Sequence, residues 1–140
     1  MATEQQPYRK PLPELHPEIA PYYTGGLRAE LMIKFCPNCN ISFHYPRTVC
    51  PECLKSDTVW RRASGKGTVY SYTITYQNLS PGFREEVPYV LALVDLAEGV
   101  RVMTNIIDCD PKDVSVGMPV EVTWERAEEL AIPKFRPQKS

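Results

Sequence analysis

The sequence predicts a mainly β protein: short N-terminal helices, a rubredoxin-like zinc ribbon, and then a five-stranded β-barrel of the OB type. Three observations predict this fold. The first half of the chain carries two paired-cysteine motifs, the second half carries short β-branched and aromatic segments separated by turns, and no long helical pattern occurs. We place the tail and helices at residues 1–29, the ribbon at 30–64 and the barrel at 65–140.

Four cysteines carry the strongest signal. They form two Cys-x-x-Cys pairs with ten residues between them: Cys36, Cys39, Cys50 and Cys53. Each pair directs two thiolates at one point, and two pairs complete the tetrahedral sulfur cage that Zn²⁺ prefers, with Zn–S distances of roughly 2.3 Å. Because four sulfurs leave no position for water or substrate, we expect the zinc to be structural.

Other interpretations of these cysteines fit less well. A thioredoxin-type redox motif needs only one pair. Disulfides need an oxidising compartment, whereas the lack of a signal-peptide pattern and the fifth cysteine, Cys109, indicate a reducing cytoplasm. Iron, bound as in rubredoxin, remains an alternative because the same four sulfurs accept it. His44 lies between the pairs, and we expect it to be an exposed strand residue.

The N-terminal region changes character at about residue 17. Residues 1–13 are polar and proline-bearing, and we expect them to trail over a surface or to await a partner. Apolar residues then recur every three or four positions up to Leu31, while Pro21 and the Gly25–Gly26 pair interrupt them. This pattern predicts one or two short helices, whose Tyr22 and Tyr23 either pack on the protein's own sheet or dock on a partner.

The strands follow from alternation and turn residues. Segments 31–35 and 59–62 flank the cysteines and predict a three-stranded ribbon sheet. Five later segments predict the barrel strands: 68–76, 89–96, 100–107, 119–124 and a short one at 132–135. Segment 77–88 is long for a hairpin connection, which is typical of a mobile or functional loop. We expect Phe83 and Arg84 at its tip to form an exposed aromatic–cation pair.

Composition limits the function. The 140 residues carry a net charge of −1, which argues against a protein dedicated to nucleic-acid binding, and no apolar run is long enough to span a membrane. No catalytic group is predicted, because neither histidine lies near a nucleophile in sequence. Cys109 stands between Asp108 and Asp110, which oppose thiolate formation.

The order of these features resembles the acyl-CoA-associated zinc-ribbon/OB-fold family known as domain of unknown function 35. The resemblance runs from about Tyr8 to Pro137. It rests on the tyrosine-rich helix, both cysteine pairs, the Pro46-Arg47 step before the second pair, the segments 67–73 and 88–89, the 98–99 turn and the closing segment 133–137.

The resemblance implies a non-catalytic subunit that works beside a larger enzyme. Similar proteins accompany thiolases, lipid-transfer-protein-like aldolases or MaoC-like hydratases, some in steroid side-chain degradation. The implied partners are such an enzyme, in a hetero-oligomer, and acyl-CoA. The candidate CoA-binding cations cluster around the ribbon: Lys34, Arg47, Arg61, Arg62 and Lys66. The candidate partner contacts are Tyr22, Tyr23, Phe83 and Arg84.

Two other functions remain open. The barrel tyrosines Tyr70, Tyr72 and Tyr76 are suited to stacking the bases of a single-stranded nucleic acid, although alternating tyrosines also occur in ordinary barrel strands. A rubredoxin-like electron carrier is the other alternative, which a red colour of the purified protein would identify.

Overall fold

A computed structural model describes residues 8–139. A one-turn helix, α1 (Ala20–Thr24), continues into a 3-10 turn (Gly25–Arg28). The ribbon sheet follows as β1 (Leu31–Cys36), β2 (Ile41–Phe43) and β3 (Val59–Ala63), with β1 in the middle and both neighbours antiparallel to it. The predicted three-stranded sheet is therefore present. Within the described residues, no helix is long and apolar enough to cross a membrane.

The second half of the chain is a closed five-stranded barrel. Its strands are β4 (Lys66–Thr75), β5 (Tyr89–Leu96), β6 (Arg101–Ile106), β7 (Pro119–Ala127) and β8 (Leu130–Pro137). They close in the order β4-β5-β6-β8-β7, with β6 and β8 parallel. Closure removes the exposed sheet edges on which other chains would pair. The prediction of a mainly β protein with an OB-like barrel is confirmed.

The last hairpin is longer than the sequence predicts. We expected β7 to end at residue 124 and β8 to cover only 132–135. Instead the two strands pair continuously from Val120 opposite Pro137 to Ala127 opposite Leu130. Pro133 lies opposite Trp124 inside this ladder. Proline normally interrupts a strand because it donates no backbone hydrogen bond, which is why the sequence pattern predicted a shorter pair.

One hydrophobic core spans barrel and ribbon. Buried valines from four barrel strands (Val69, Val94, Val102 and Val120) pack in one cluster with Phe135. Leu31 and Ile33 of β1 and Ala63 of β3 belong to the same cluster. The barrel-facing half of the ribbon sheet is therefore stabilised by the barrel itself, through burial of apolar surface.

An N-terminal strap, defined here as residues 8–10, crosses the loop at 77–88. Lys10 is 8% exposed; its Nζ lies 2.8 Å from Oε2 of Glu125 on β7 and 2.7 Å from Oε2 of Glu86 in the loop. Tyr8 donates a hydrogen bond of 2.8 Å to Glu125, and Arg9 pairs with Glu85. These three residues do not trail over the surface as expected, because the Tyr8 hydrogen bond and the ion pairs of Arg9 and Lys10 hold them. Residues 1–7 of the expected tail lie outside the described residues.

The loop itself adopts a different arrangement from the one expected at its tip. Phe83 is half-buried, with its ring 5.6 Å from Nζ of Lys10 and 6.0 Å from the ring of Tyr89. Arg84 is exposed and donates a hydrogen bond to the Leu79 carbonyl. The expected exposed Phe83–Arg84 pair is therefore wrong, because the cation over Phe83 comes from the strap.

Gly82 allows the strap to approach the loop backbone. Its φ is +87°, and a Cβ at this position would lie 2.8 Å from the Arg9 carbonyl carbon and 2.9 Å from the Lys10 nitrogen. Gly117 has the same φ of +87°, but a Cβ there would meet no atom within 4 Å. Both glycines therefore have a left-handed backbone, but only Gly82 has neighbouring backbone atoms that a side chain would clash with.

This pair gives a direct test of the strap. Gly117→Ala should lower the free energy of unfolding by about 1–2 kcal/mol, the cost of a left-handed alanine. Gly82→Ala should cost a further 1–3 kcal/mol or so, because the added methyl displaces the strap backbone. Urea denaturation followed by circular dichroism measures both changes. Equal costs for the two variants would show that the strap does not pack on Gly82 in solution.

Candidate functional site

The four predicted cysteine ligands come together at the far end of the ribbon. Cys36 ends β1, Cys39 lies in the turn between β1 and β2, and Cys50 and Cys53 lie in the second turn before β3. Their Sγ atoms all lie within 4.8 Å of one another, and Cys36 and Cys50 are 0% exposed. The described residues thus contain a compact four-sulfur cluster of the predicted composition.

The turn geometry explains how each pair converges. The residue after each pair, Asn40 or Leu54, has a left-handed backbone with φ of 55° and 64°. Asparagine tolerates this conformation, whereas Leu54 was expected to fit it less well. Leu54 nevertheless adopts it, with its N–H bonded to the Cys50 carbonyl at 3.0 Å and its side chain 73% exposed. The geometry of the Cys-x-x-Cys turn therefore outweighs the preference of leucine for a negative φ.

The cluster fits a tetrahedral metal ion. Sulfurs at roughly 2.3 Å from a central zinc are about 3.8 Å apart, and the Sγ atoms of Cys36 and Cys53 are 3.6 Å apart. The Glu52 N–H points at Cys50 Sγ from 3.3 Å, the kind of outer contact that supports a thiolate ligand. The donor set is four soft sulfurs, which suits zinc or iron and disfavours magnesium or calcium.

The pKa values of the thiols differ within the cluster. A hydrogen bond with Cys53, followed by burial, raises the pKa of Cys39 to about 12. Although burial raises the pKa of Cys50, the backbone N–H groups of Cys53 and Glu52 lower it to about 7. Four adjacent thiols cannot all ionise without a compensating charge, and a divalent metal would supply that charge.

His44 is not the exposed strand residue that we expected. It directly follows β2 and packs between the rings of Tyr22, at 4.9 Å, and Tyr45, at 4.6 Å. Burial lowers the pKa of His44 to about 4, so the imidazole is neutral near pH 7. Its Nδ1 atom is buried and has no hydrogen-bond partner among the described residues. The expectation failed because α1, distant in sequence, covers this position.

These side chains line a cavity of about 180 Å³ at the junction of α1, the ribbon and the barrel. The cavity wall is uncharged and mostly aromatic, and includes Ile19, Tyr22, Tyr23, His44, Tyr45 and Met103. Tyr45 and Met103 are 60% and 52% exposed at its mouth. Sequence reasoning missed this cavity, since only the tertiary packing brings the three regions together.

The five candidate CoA-binding cations do not form one cluster. Lys34 lies opposite Trp60 on β3, and Arg62 lies opposite Met32, whereas Arg61 lies opposite Ile33 and therefore points to the other face of the sheet. Lys34 is 7% exposed, with Nζ 4.9 Å from the Trp60 ring, and burial lowers its pKa. Arg61 covers the Phe35 ring at 3.4 Å.

The remaining two cations are exposed. Lys66 begins β4, and Arg47 follows Pro46 in the segment between the cysteine pairs. Pro46 lines the aromatic cavity, and Arg47 is the next residue in the chain.

The predicted partner contacts also differ in accessibility. Tyr22 is 8% exposed and belongs to the main core, whereas Tyr23 is half-buried at the cavity. Phe83 lies beneath Lys10, and Arg84 is exposed. No finding tests a partner contact at these four residues, which remain predictions.

Two polar groups were missed entirely. Lys134 on β8 is 8% exposed and donates to the Asn105 side chain, and burial lowers its pKa. Glu125 accepts from both Tyr8 and Lys10. Neither position stands out in sequence, because their partners lie between 29 and 117 residues away.

The tyrosines considered for base stacking are only partly available. The guanidinium of Arg101 covers the Tyr70 ring at 3.4 Å and is itself bonded to Asp95 at 2.7 Å. Tyr72 is half-buried against the core, and Tyr76 is 70% exposed. The three rings do not form a continuous exposed platform.

Comparison with known proteins agrees with this architecture. The family pattern described as "ChsH2, C-terminal OB-fold domain" matches residues 60–125. A probable enoyl-CoA hydratase alpha subunit of Thermomonospora curvata is 38% identical over 137 residues, which is 96% of this chain and 42% of that protein. The chain therefore spans about two fifths of that relative's length.

Two further matches cover most of their counterparts. A DUF35 domain-containing scaffold protein of Methanocaldococcus jannaschii is 38% identical over 96 residues, which is 67% of each protein. A chain of the solved structure titled "Ltp2-ChsH2(DUF35) aldolase" superposes with a TM-score of 0.80 at 37% identity, covering 90% of this chain and 98% of that one. From the shared ribbon and barrel and from this identity, we conclude that the chain belongs to the DUF35 family.

Proposed function

We propose that this chain is a non-catalytic scaffold subunit that docks on a thiolase-superfamily enzyme, such as a thiolase or lipid-transfer-protein-like aldolase, or on a MaoC-like hydratase, and helps to bind its acyl-CoA. The observation that carries the proposal is the match to the Ltp2-ChsH2(DUF35) aldolase, since this chain covers 98% of the matched chain. A match of that extent includes the ribbon, the barrel and their junction. Action on a steroid side chain is a finer form of the proposal, supported by the family resemblance.

Several features of the chain are consistent with a non-catalytic scaffold subunit. The four cysteine sulfurs lie close enough together to surround one metal ion, which would leave no position for substrate. Burial, with Asp113 and Asp110 next in effect, raises the pKa of Cys109, so that this thiol stays protonated. The name of the hydratase relative supports an acyl-CoA ligand. For docking, the exposed Arg84 and the half-buried Tyr23 are the accessible candidates.

We further propose that the four-sulfur cluster holds a structural zinc ion. Zinc prefers four thiolates in a tetrahedron, and a closed site of this kind contributes to folding instead of to chemistry. The cysteines pack with Phe43 in a cluster separate from the main core. With so few apolar side chains there, metal binding has to supply much of the stability of this end.

The zinc proposal is tested by replacing one ligand. Cys36→Ser should reduce bound zinc from about one per chain to a small fraction, because a serine hydroxyl is a poor replacement for a buried thiolate. Cys109→Ser is the matched control, since this cysteine lies outside the cluster. Metal analysis of the purified proteins measures the ratio, and the absorption spectrum distinguishes colourless zinc from red iron. Full zinc occupancy in Cys36→Ser would contradict the assigned ligand set.

The docking proposal is tested by recovery of the partner. The tagged full chain should co-purify with a thiolase-like, aldolase or hydratase subunit from its native cytosol, identified by mass spectrometry and co-eluting in size-exclusion chromatography. Arg84→Glu should reduce that recovery, because the new carboxylate would be repelled by partner groups that are arranged to meet a cation. Arg126→Glu, a change at another exposed arginine, is the control. Recovery of nucleic acid, or of no enzyme, would overturn the proposed function.

A further inference from the structure

The loop between β4 and β5 has few polar attachments to the rest of the molecule. Backbone hydrogen bonds between residues 80 and 86 close successive turns, and they join the loop only to itself. Asn78 donates to the hydroxyl of Tyr89, the residue at which β5 begins, at 2.9 Å. In the described part of the chain, the other hydrogen bonds and ion pairs that leave the loop end on Arg9 and Lys10 of the strap.

Lys10 joins the loop to the barrel. Its Nζ lies 2.7 Å from Oε2 of Glu86 in the loop, and 2.9 and 2.8 Å from Oε1 and Oε2 of Glu125 on β7. The Lys10 side chain is almost fully buried, so these charges attract one another with little screening by water. The neighbouring pair of Arg9 and Glu85 is exposed on both sides, and pairs of that kind contribute little. One ammonium group is therefore the main polar bridge between loop and barrel.

The same ammonium group separates two like charges. Glu86 and Glu125 both line a cavity of about 50 Å³ between the loop and the barrel. Lys134 also lines it, but this lysine donates to Asn105 and forms no ion pair with any carboxylate of residues 8–139. Without Lys10, the two carboxylates would face the same small space, where partial burial strengthens their repulsion. Removal of the Lys10 charge should therefore release the loop and also push it away from β7.

The tip of the loop is shaped to receive the strap. Gly82 leaves room for the strap backbone, and the ring of Phe83 lies 5.6 Å from Lys10 Nζ, within the range of a cation–π contact. Arg84 follows directly and is exposed, with its Nη2 donating to the Leu79 carbonyl at 2.9 Å. The position of Arg84 therefore depends on the part of the loop that the strap holds.

We infer that Lys10 is a positioning residue: it clamps the loop on β7 through Glu86 and Glu125, and it thereby holds Arg84 where a partner enzyme meets the chain. The inference rests on the proposed function in naming the partner, whereas the clamp is a property of the free chain. A clamped loop is ordered before the partner arrives, so that docking does not have to order it.

Hydrogen exchange of the full chain tests the clamp directly. Lys10→Met removes the ammonium group and keeps an unbranched side chain. We expect amide exchange in peptides covering residues 79–86 to quicken about tenfold or more, while β5 and β6 keep their protection. Lys112→Met, a change at an exposed lysine outside the strap, is the control and should leave the loop as it is. Loop exchange that stays unchanged in Lys10→Met would overturn the clamp.

Glu86→Gln distinguishes a bridge from two independent contacts. This change weakens the attachment of the loop and leaves the pair of Lys10 with Glu125. If one ammonium group bridges both carboxylates, Glu86→Gln should also quicken loop exchange, and the double variant should exchange no faster than Lys10→Met alone. Effects that multiply in the double variant would overturn the bridge. Glu128→Gln, at another exposed carboxylate, is the matched control.

Lys134 supplies a second readout of loop release. Its side chain is almost fully buried beside the loop, whereas Lys66 is exposed. After brief treatment with an amine-acetylating reagent, mass spectrometry should show several-fold more label on Lys134, relative to Lys66, in Lys10→Met than in the unaltered chain. An unchanged ratio would show that the loop still covers this lysine, and it would count against the clamp.

Recovery of the partner separates this inference from the proposed function. Lys10→Met should reduce the amount of co-purified enzyme several-fold, because its docking loop is no longer held. A released loop with undiminished recovery would overturn the role of the clamp in docking and leave the scaffold role intact. Recovery of no enzyme by the unaltered chain would overturn the proposed function and the docking role with it, whereas hydrogen exchange would still decide whether Lys10 clamps the loop.

Discussion

The distal end of the ribbon depends on four sulfur atoms. Its hydrophobic cluster comprises Cys36, Cys50 and Phe43, with Cys39, Cys53 and Ile41 partly buried around it. Burying so few side chains falls far short of the entropy lost on ordering the two turns, at about 1–2 kcal/mol per residue for the backbone alone. The metal proposed for this site would supply what the apolar contacts lack, because it would bind all four thiolates.

Strand β1 connects this cysteine-rich end to the barrel. It carries Cys36 at one end, whereas Leu31 and Ile33 at the other belong to the barrel core. Six residues of strand span about 20 Å. Through β1, the position of the sulfur cluster is fixed relative to the barrel.

The aromatic cavity depends on the same strand, because His44 directly follows β2, and the three residues of β2 are held by pairing with β1. Disruption of the four-cysteine cluster would therefore disturb the cavity as well as the turns.

What the sequence predicts correctly here is local or periodic. The cysteine pairs are recognisable because each brings its ligands together within four residues, and the barrel strands are recognisable because their side chains alternate. The features that were missed depend on distant partners. Tyr8 contacts a residue 117 positions away, His44 is covered by a ring from α1, and β8 continues through Pro133 because the β7 ladder supports it. The cation cluster failed as a unit for a related reason: antiparallel pairing places Arg61 on the face opposite Lys34 and Arg62.

The strap changes which surfaces remain for a partner. Phe83 would be the natural anchor of the loop, since buried aromatic side chains dominate binding at interfaces. Here Lys10 already covers it, and the ion pairs of Lys10 with Glu86 and Glu125 hold that arrangement. A partner that used Phe83 would have to displace the strap and leave Lys10, now buried, without its carboxylates, which is costly for a desolvated charge. Docking that leaves the strap in place instead meets Arg84 and the outer side of the loop. The charges of Lys10, Glu86 and Glu125 are thus paired within the chain, whereas Tyr45 and Met103 of the uncharged aromatic cavity at the ribbon junction stay exposed.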